Sequence, residues 1–123
     1  MGGAKATACA TGAYARVREQ FNVPIAEFEG IAEPLGRIAG YTYIITASVN
    51  TTAMAIGAGE KPAVISAIMK YHTTEMARKI SNDAMDIHGG KAVMRGPKNY
   101  MASGHEASPI GITVEGANIL TRS

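Results

Sequence analysis

FEGIAEPLGRIAGYTYIITASVNTTAMAI, residues 28–56, carries the cleanest apolar period in the chain. Phe28, Ile31, Leu35, Ile38, Thr42, Ile45, Val49, Thr52 and Ile56 recur at alternating steps of three and four. A helix turns once every 3.6 residues, so these positions form one seam that packs against other helices. Pro34 falls inside the seam and predicts a kink, because it removes an amide hydrogen and costs about 3 kcal/mol in a helix interior. The phase of the period survives the proline, which favours one bent helix over two short ones.

On the N-terminal side, Gly2 to Phe21 reads as a helix with the face Ala6, Ala10, Ala13, Tyr14, Val17 and Phe21, and Asn22-Val23-Pro24 reads as a connection. On the C-terminal side, Gly57-Ala58-Gly59-Glu60-Lys61 breaks the pattern and Pro62 suits a first helical position. Val64, Ile68, His72, Met76, Ile80, Ala84 and Ile87 then mark a third helix of about 40 Å, ending at His88 before Gly89-Gly90. Gly96, Pro97, Asn99, Gly104 and Pro109 describe a loop-rich stretch with one short helix near Tyr100. Ile110 to Leu120 fits strand or helix, and its end is read as helical. The expected fold class is all-α, a bundle of long antiparallel helices with a short C-terminal helix.

The composition agrees with a packed unit. A chain of 123 residues, 46% hydrophobic and 18% charged, has the material for a core and argues against disorder. It fits one domain or a piece of a larger one. Cys9 is the sole cysteine, so no internal disulfide forms, and the common zinc clusters are absent; no metal is expected. The longest apolar run, Ala63 to Met69 with Ser66 inside it, is far short of the roughly 20 residues of a spanning helix. The first residues lack a secretion signal, so Asn50-Thr51-Thr52 is read as a meaningless glycosylation match and the expected location is cytoplasmic. A net charge of +2 is too small and scattered for a nucleic-acid partner.

Several familiar signatures fail on spacing. Gly57-Ala58-Gly59 lacks the third glycine and the preceding strand of a dinucleotide fingerprint, Gly89-Gly90-Lys91-Ala92 lacks the rest of a P-loop, and His105-Glu106 lacks the second histidine of a zinc protease. His72 lies on an apolar stripe and reads as a core or boundary residue, and the methionines from Met54 to Met94 as core filler. Three pieces remain: Tyr14-x-x-x-Arg18-Glu19-Gln20-Phe21-x-x-Pro24-Ile25-x-x-Phe28; Asp83-Ala84-Met85-Asp86-Ile87-His88-Gly89-Gly90; and Ile112-Thr113-Val114-Glu115-Gly116-Ala117-Asn118-Ile119-Leu120-Thr121-Arg122.

In order and spacing these pieces resemble the C-terminal helical domain of the acyl-CoA dehydrogenases across nearly the whole chain. With Lys70-Tyr71-His72 and Gly96-Pro97-x-Asn99-Tyr100, the variant is similar to the bacterial long-chain fatty-acid type. The resemblance implies FAD-dependent α,β-dehydrogenation of a long-chain fatty acyl-CoA to the trans-2-enoyl-CoA in β-oxidation. It implies that Glu115 is the base that removes the α-proton, with Gly116 beneath the thioester. It also implies that Arg18, Gln20, Phe21, Gly89 and Gly90 contact FAD held mainly by a neighbouring subunit, with Asn118 adding a cofactor contact. The partners implied are an electron acceptor such as an electron-transfer flavoprotein and further copies of the chain, and the long-chain type is peripheral to the inner membrane. The chain departs from many relatives at Asp86, Val114 and Ala117, where they carry glutamine, an aromatic residue and threonine.

The residue chemistry is compatible with these roles. A base that takes a weakly acidic α-hydrogen needs exclusion of water, which Ile112, Val114, Ala117 and Ile119 are expected to provide, raising the carboxyl pKa. Arg18 has the fork that matches a pyrophosphate, and paired glycines let a ligand approach the backbone. Chemistry alone favours a solvated helix-cap carboxylate for Glu115, a surface charge for Arg18 and a core residue for Phe21, and it allows Gly89-Gly90 to be a helix stop as well. As the C-terminal domain (1–123), the chain lacks the N-terminal helical and middle β domains of the family and is expected to have no turnover alone. An acyl-CoA oxidase and a non-catalytic helical oligomerisation module are the alternatives.

Overall fold

A computed structural model describes residues 1–122. Six helices dominate it: α1 (Gly2–Val17), α2 (Glu29–Gly57), α3 (Ala63–His88), α4 (Gly90–Val93), α5 (Ala102–Thr113) and α6 (Asn118–Thr121). A two-stranded hairpin, β1 (Glu19–Gln20) and β2 (Val23–Pro24), leads through a 3-10 turn at Ile25–Glu27 into α2. α3 is the central member and packs against α1, α2 and α5. The core is built from Ile38 and Ile45 of α2, Ile80, Ala84 and Ile87 of α3, and Ala4 and Ala15 of α1. Burying one such isoleucine contributes about 1.5–3 kcal/mol.

The seam of residues 28–56 is one helix with Pro34 inside it. Arg37 ties α2 to α3 through a two-point fork, with Nε donating to Asp83 Oδ2 and an Nη to Oδ1, both at 2.8 Å. A second Nη reaches Glu33 one turn earlier at 2.7 Å.

Four sequence expectations need correction. The first helix ends at Val17 rather than Phe21, because Phe21 and Asn22 take positive φ (54° and 65°) and reverse the chain in two residues. Glu19 thereby faces Pro24, and Gln20 faces Val23. The buried face of α1 is Ala4, Thr11 and Ala15, whereas Val17 is exposed. Alanines stand on several sides of this helix, so the period had no unique phase. The expected loop before Ile110 is instead α5, which begins at Ala102 and contains Pro109. Asn99 starts it: its Oδ1 accepts the amides of Met101 and Ala102 at 2.9 Å, satisfying donors that a helix start leaves open. His72, expected at a core or boundary, is exposed with its ring edge against Tyr71.

Candidate active site

The Gly-Gly end of α3 meets the hairpin around an open groove of about 860 Å³. Arg18, Gln20, Phe21, Gly89 and Gly90 all border it, so the structure brings together five residues that lie some 70 positions apart in sequence. The hairpin achieves this. Arg18 leaves α1 in an extended conformation and its carbonyl accepts the amide of Ile25 at 2.8 Å, which closes the loop over the groove.

His88 forms the floor. Its side chain is buried, its ring stacks on Tyr14 with centroids 4.3 Å apart, and Nδ1 lies 2.8 Å from the Ala84 carbonyl. Facing a carbonyl, Nδ1 carries the hydrogen, and Nε2 accepts from the Tyr100 hydroxyl at 2.9 Å. Burial pushes the His88 pKa below its ordinary value; the Ala84 hydrogen bond opposes this and the nearby charge of Lys91 adds to it. Burial also raises the Tyr100 hydroxyl, with a further contribution from Tyr14. The floor is therefore a neutral aromatic cluster.

Above it the groove is lined by glycine backbone, aromatic rings and a few charged side chains. Gly89 has φ +56°, and a β-carbon built on Gly89 or Gly90 would meet nothing within 4 Å. Phe21 is 85% exposed, at a positive φ that costs a bulky residue free energy, with its ring edge-on to Phe28 at 6.2 Å. A large apolar ring held in strain and facing solvent points to a contact outside this chain. Arg18 and Lys91 supply positive charge, and Asp86 places one carboxylate at the same rim.

Glu115 stands elsewhere. It sits in the turn between α5 and α6 with φ +52°, followed by Gly116 at +92°. Its side chain is exposed, as are Val114 and Ile119, and only Ile112 of the four expected shielding residues is buried. The dry surroundings expected of Glu115 are thus not provided by its sequence neighbours. Asn118, expected to touch the cofactor, is 3% exposed and faces α3. Its Oδ1 accepts from Lys70 at 2.7 Å, and its amide donates to Thr74 Oγ1 at 2.8 Å and Glu75 Oε1 at 2.9 Å. A short polar side chain beside the partners offered by α3 is consumed by them.

The sequence motifs contain Tyr14 and Lys70 but give them no role at the site, and they give none to Lys91. Lys91 directly follows the glycine pair, and Tyr14 is one turn before Arg18; both signals were present. Lys70 lies 45 residues before Glu115, and no local spacing could have linked them.

An all-α bundle with a glycine-lined, cationic groove at one end and a carboxylate turn at the other defines the class. Residues 1–122 match the family described as acyl-CoA dehydrogenase, C-terminal domain. The chain belongs to the acyl-CoA dehydrogenase family, whose members are FAD-dependent oxidoreductases. It is 38% identical over 77 residues to a 3-(aryl)acrylate reductase of Clostridium sporogenes, covering 63% of this chain and 20% of that protein. It is 35% identical over 99 residues to an acryloyl-CoA reductase (NADH) of Anaerotignum propionicum, covering 76% and 25%. The fold superposes on the crystal structure of an acyl-CoA dehydrogenase from Geobacillus kaustophilus with a TM-score of 0.91 at 22% identity, over 98% of this chain and 31% of that one. The chain thus spans a third or less of the proteins it matches. No helix among the described residues is long and apolar enough to cross a membrane.

Proposed function

We propose that this chain is the C-terminal helical domain of an FAD-dependent acyl-CoA dehydrogenase and supplies its catalytic base. In this reading the N-terminal helical and middle β domains lie outside residues 1–123, in keeping with the fraction of its relatives that the chain spans. The substrate proposed is a long-chain fatty acyl-CoA, converted to the trans-2-enoyl-CoA in β-oxidation in the cytoplasm.

The observation that supports this best is the division of chemistry between the two ends of α3. The lining suits FAD: Arg18 would hold its pyrophosphate with Lys91 adding positive charge nearby, the Gly89 and Gly90 backbone would let it approach closely, and Phe21 would offer it a flat wall. Bound FAD supplies the acceptor for the β-hydrogen, taken as hydride. Glu115 removes the α-proton as its carboxylate becomes a carboxylic acid, and the Gly116 backbone lets the thioester lie close. Exposed Val114, Ile119 and Leu120 beside Glu115 are available to close a dry cavity with surfaces outside this chain.

Residues 70 and 88 are about 27 Å apart along α3, at 1.5 Å per residue. That separation supports a reading in which one chain's groove and its own carboxylate serve different flavins in a homo-oligomer. The electron acceptor proposed is an electron-transfer flavoprotein. Glu115→Gln in the flavoenzyme that carries this chain, assayed with palmitoyl-CoA, tests the assignment; turnover equal to the parent removes Glu115 from the mechanism.

The reductase relatives favour a second reading, in which the same site runs backwards and a protonated Glu115 delivers the α-hydrogen to a 2-enoyl-CoA. Enoyl-CoA consumption with a reduced electron donor, and no oxidation of acyl-CoA by any acceptor, would select it.

A further inference from the structure

We propose that Lys70 is the positioning residue for Glu115, fixing where the base is presented by bolting its turn onto α3. The proposal rests on Glu115 being the base and deepens that reading.

Glu115 belongs to no regular element, and it and Gly116 both take left-handed backbone conformations. A non-glycine residue there is strained and persists only where its surroundings over-determine it. Lys70 provides that constraint. Its Nζ donates to the Ile112 carbonyl at 3.1 Å, the Gly116 carbonyl at 2.6 Å and Asn118 Oδ1 at 2.7 Å. An ammonium has three donors, and here three acceptors converge on it. They belong to the last turn of α5, to Gly116 directly after Glu115, and to the first residue of α6, so one side chain bridges both flanks of the carboxylate.

The electrostatics favour the same arrangement. Ile112 offers one of the carbonyls that a helix end leaves without an amide, and a cation is favourable at that negative pole. Asn118 completes the clamp by donating to Thr74 Oγ1 and Glu75 Oε1, so the turn is held at two successive levels of one continuous helix. A planar guanidinium cannot gather three acceptors around one nitrogen, so arginine is a partial substitute.

The test is made in the flavoenzyme that carries this chain, with Lys70→Met, Lys70→Gln, Lys70→Arg and Glu115→Gln assayed in parallel with an acyl-CoA substrate. A misplaced base slows proton removal without weakening substrate capture. Lys70→Met is therefore expected to lower kcat by about 10- to 100-fold, the scale of an ångström of misplacement. KM is expected to stay within about twofold, flavin content and helical signal to match the parent, and the isotope effect with α-deuterated substrate to rise. Lys70→Arg should recover part of the loss, and Lys70→Gln carries the test if Lys70→Met fails to fold. Parental kcat in the folded Lys70 variants while Glu115→Gln is inactive overturns this inference alone. So does joint loss of helical signal and flavin in all three, which would make Lys70 a residue of the fold only. Parental turnover in Glu115→Gln overturns the base assignment and this inference with it.

Discussion

The two halves of α3 have the same apolar period and opposite fates. Toward His88 the stripe is sealed: Ile80 is 1% exposed, and Ala84 and Ile87 are also buried. Toward Ala63 it is open, with Val64 at 74% and Ile68 at 50%. Periodicity records that a face will be covered, not by what. The sealed half is covered by α1 and α2 of this chain, whereas the open half, like Met54 and Ile56 of α2, is exposed apolar surface. The proposed chemistry is divided in the same way, since the glycine-lined groove is attached to the sealed end and the turn that carries Glu115 to the open one.

The sharpest way to break this division is at the open end. Glu115→Gln should cost the flavoenzyme about 10² to 10⁴ in kcat, or about 2.7–5.5 kcal/mol of barrier, with flavin content unchanged in the absorption spectrum. A matched pair of truncations tests the packing itself. Ile80→Ala should destabilise the bundle by about 2–5 kcal/mol in urea unfolding, while Ile68→Ala in the isolated chain should stay within about 0.5 kcal/mol. Equal losses would mean that the open half is already covered in solution. At the sealed end, Arg18→Leu should weaken FAD retention by about 10- to 100-fold, the worth of one hydrogen-bonded charge, and added FAD should restore turnover.

The smallest effect is expected from His88. Its proton is disfavoured in the folded state, so its contribution to stability is present above its ordinary pKa of about 6.5 and is lost as pH falls from there toward the folded value. The slope from this one group cannot exceed about 1.4 kcal/mol per pH unit. Thermal melts of the chain from pH 8 to 5 should fall more steeply than those of His88→Phe; parallel curves would show that His88 does not titrate with unfolding.

The long elements were legible because a single seam ran through them. Phe28 to Ile56 and the stripe ending at Ile87 had one phase each, and Gly89-Gly90 marked a stop that positive φ made specific to glycine. α1 was legible as a helix but not in its orientation, since alanine has too little side chain to distinguish the faces. The hairpin was hidden because Phe21 is a poor turn former that nevertheless takes a left-handed conformation, and Asn22 alone is a weak signal. At the candidate site, the sequence order pointed to Arg18, Gly89, Gly90 and Glu115. The engagement of Asn118 and the reach of Lys70 depend on contacts between residues more than 40 positions apart, which no window of sequence contains.

Pro34 has a consequence beyond the bend expected of it. A helix would meet the carbonyl of Gly30 with the amide hydrogen of residue 34, and proline has none. Gly30 borders the groove, just inside the start of α2. The first turn of α2 thus carries, beside the groove, a carbonyl that cannot close the usual bond to the residue four positions on.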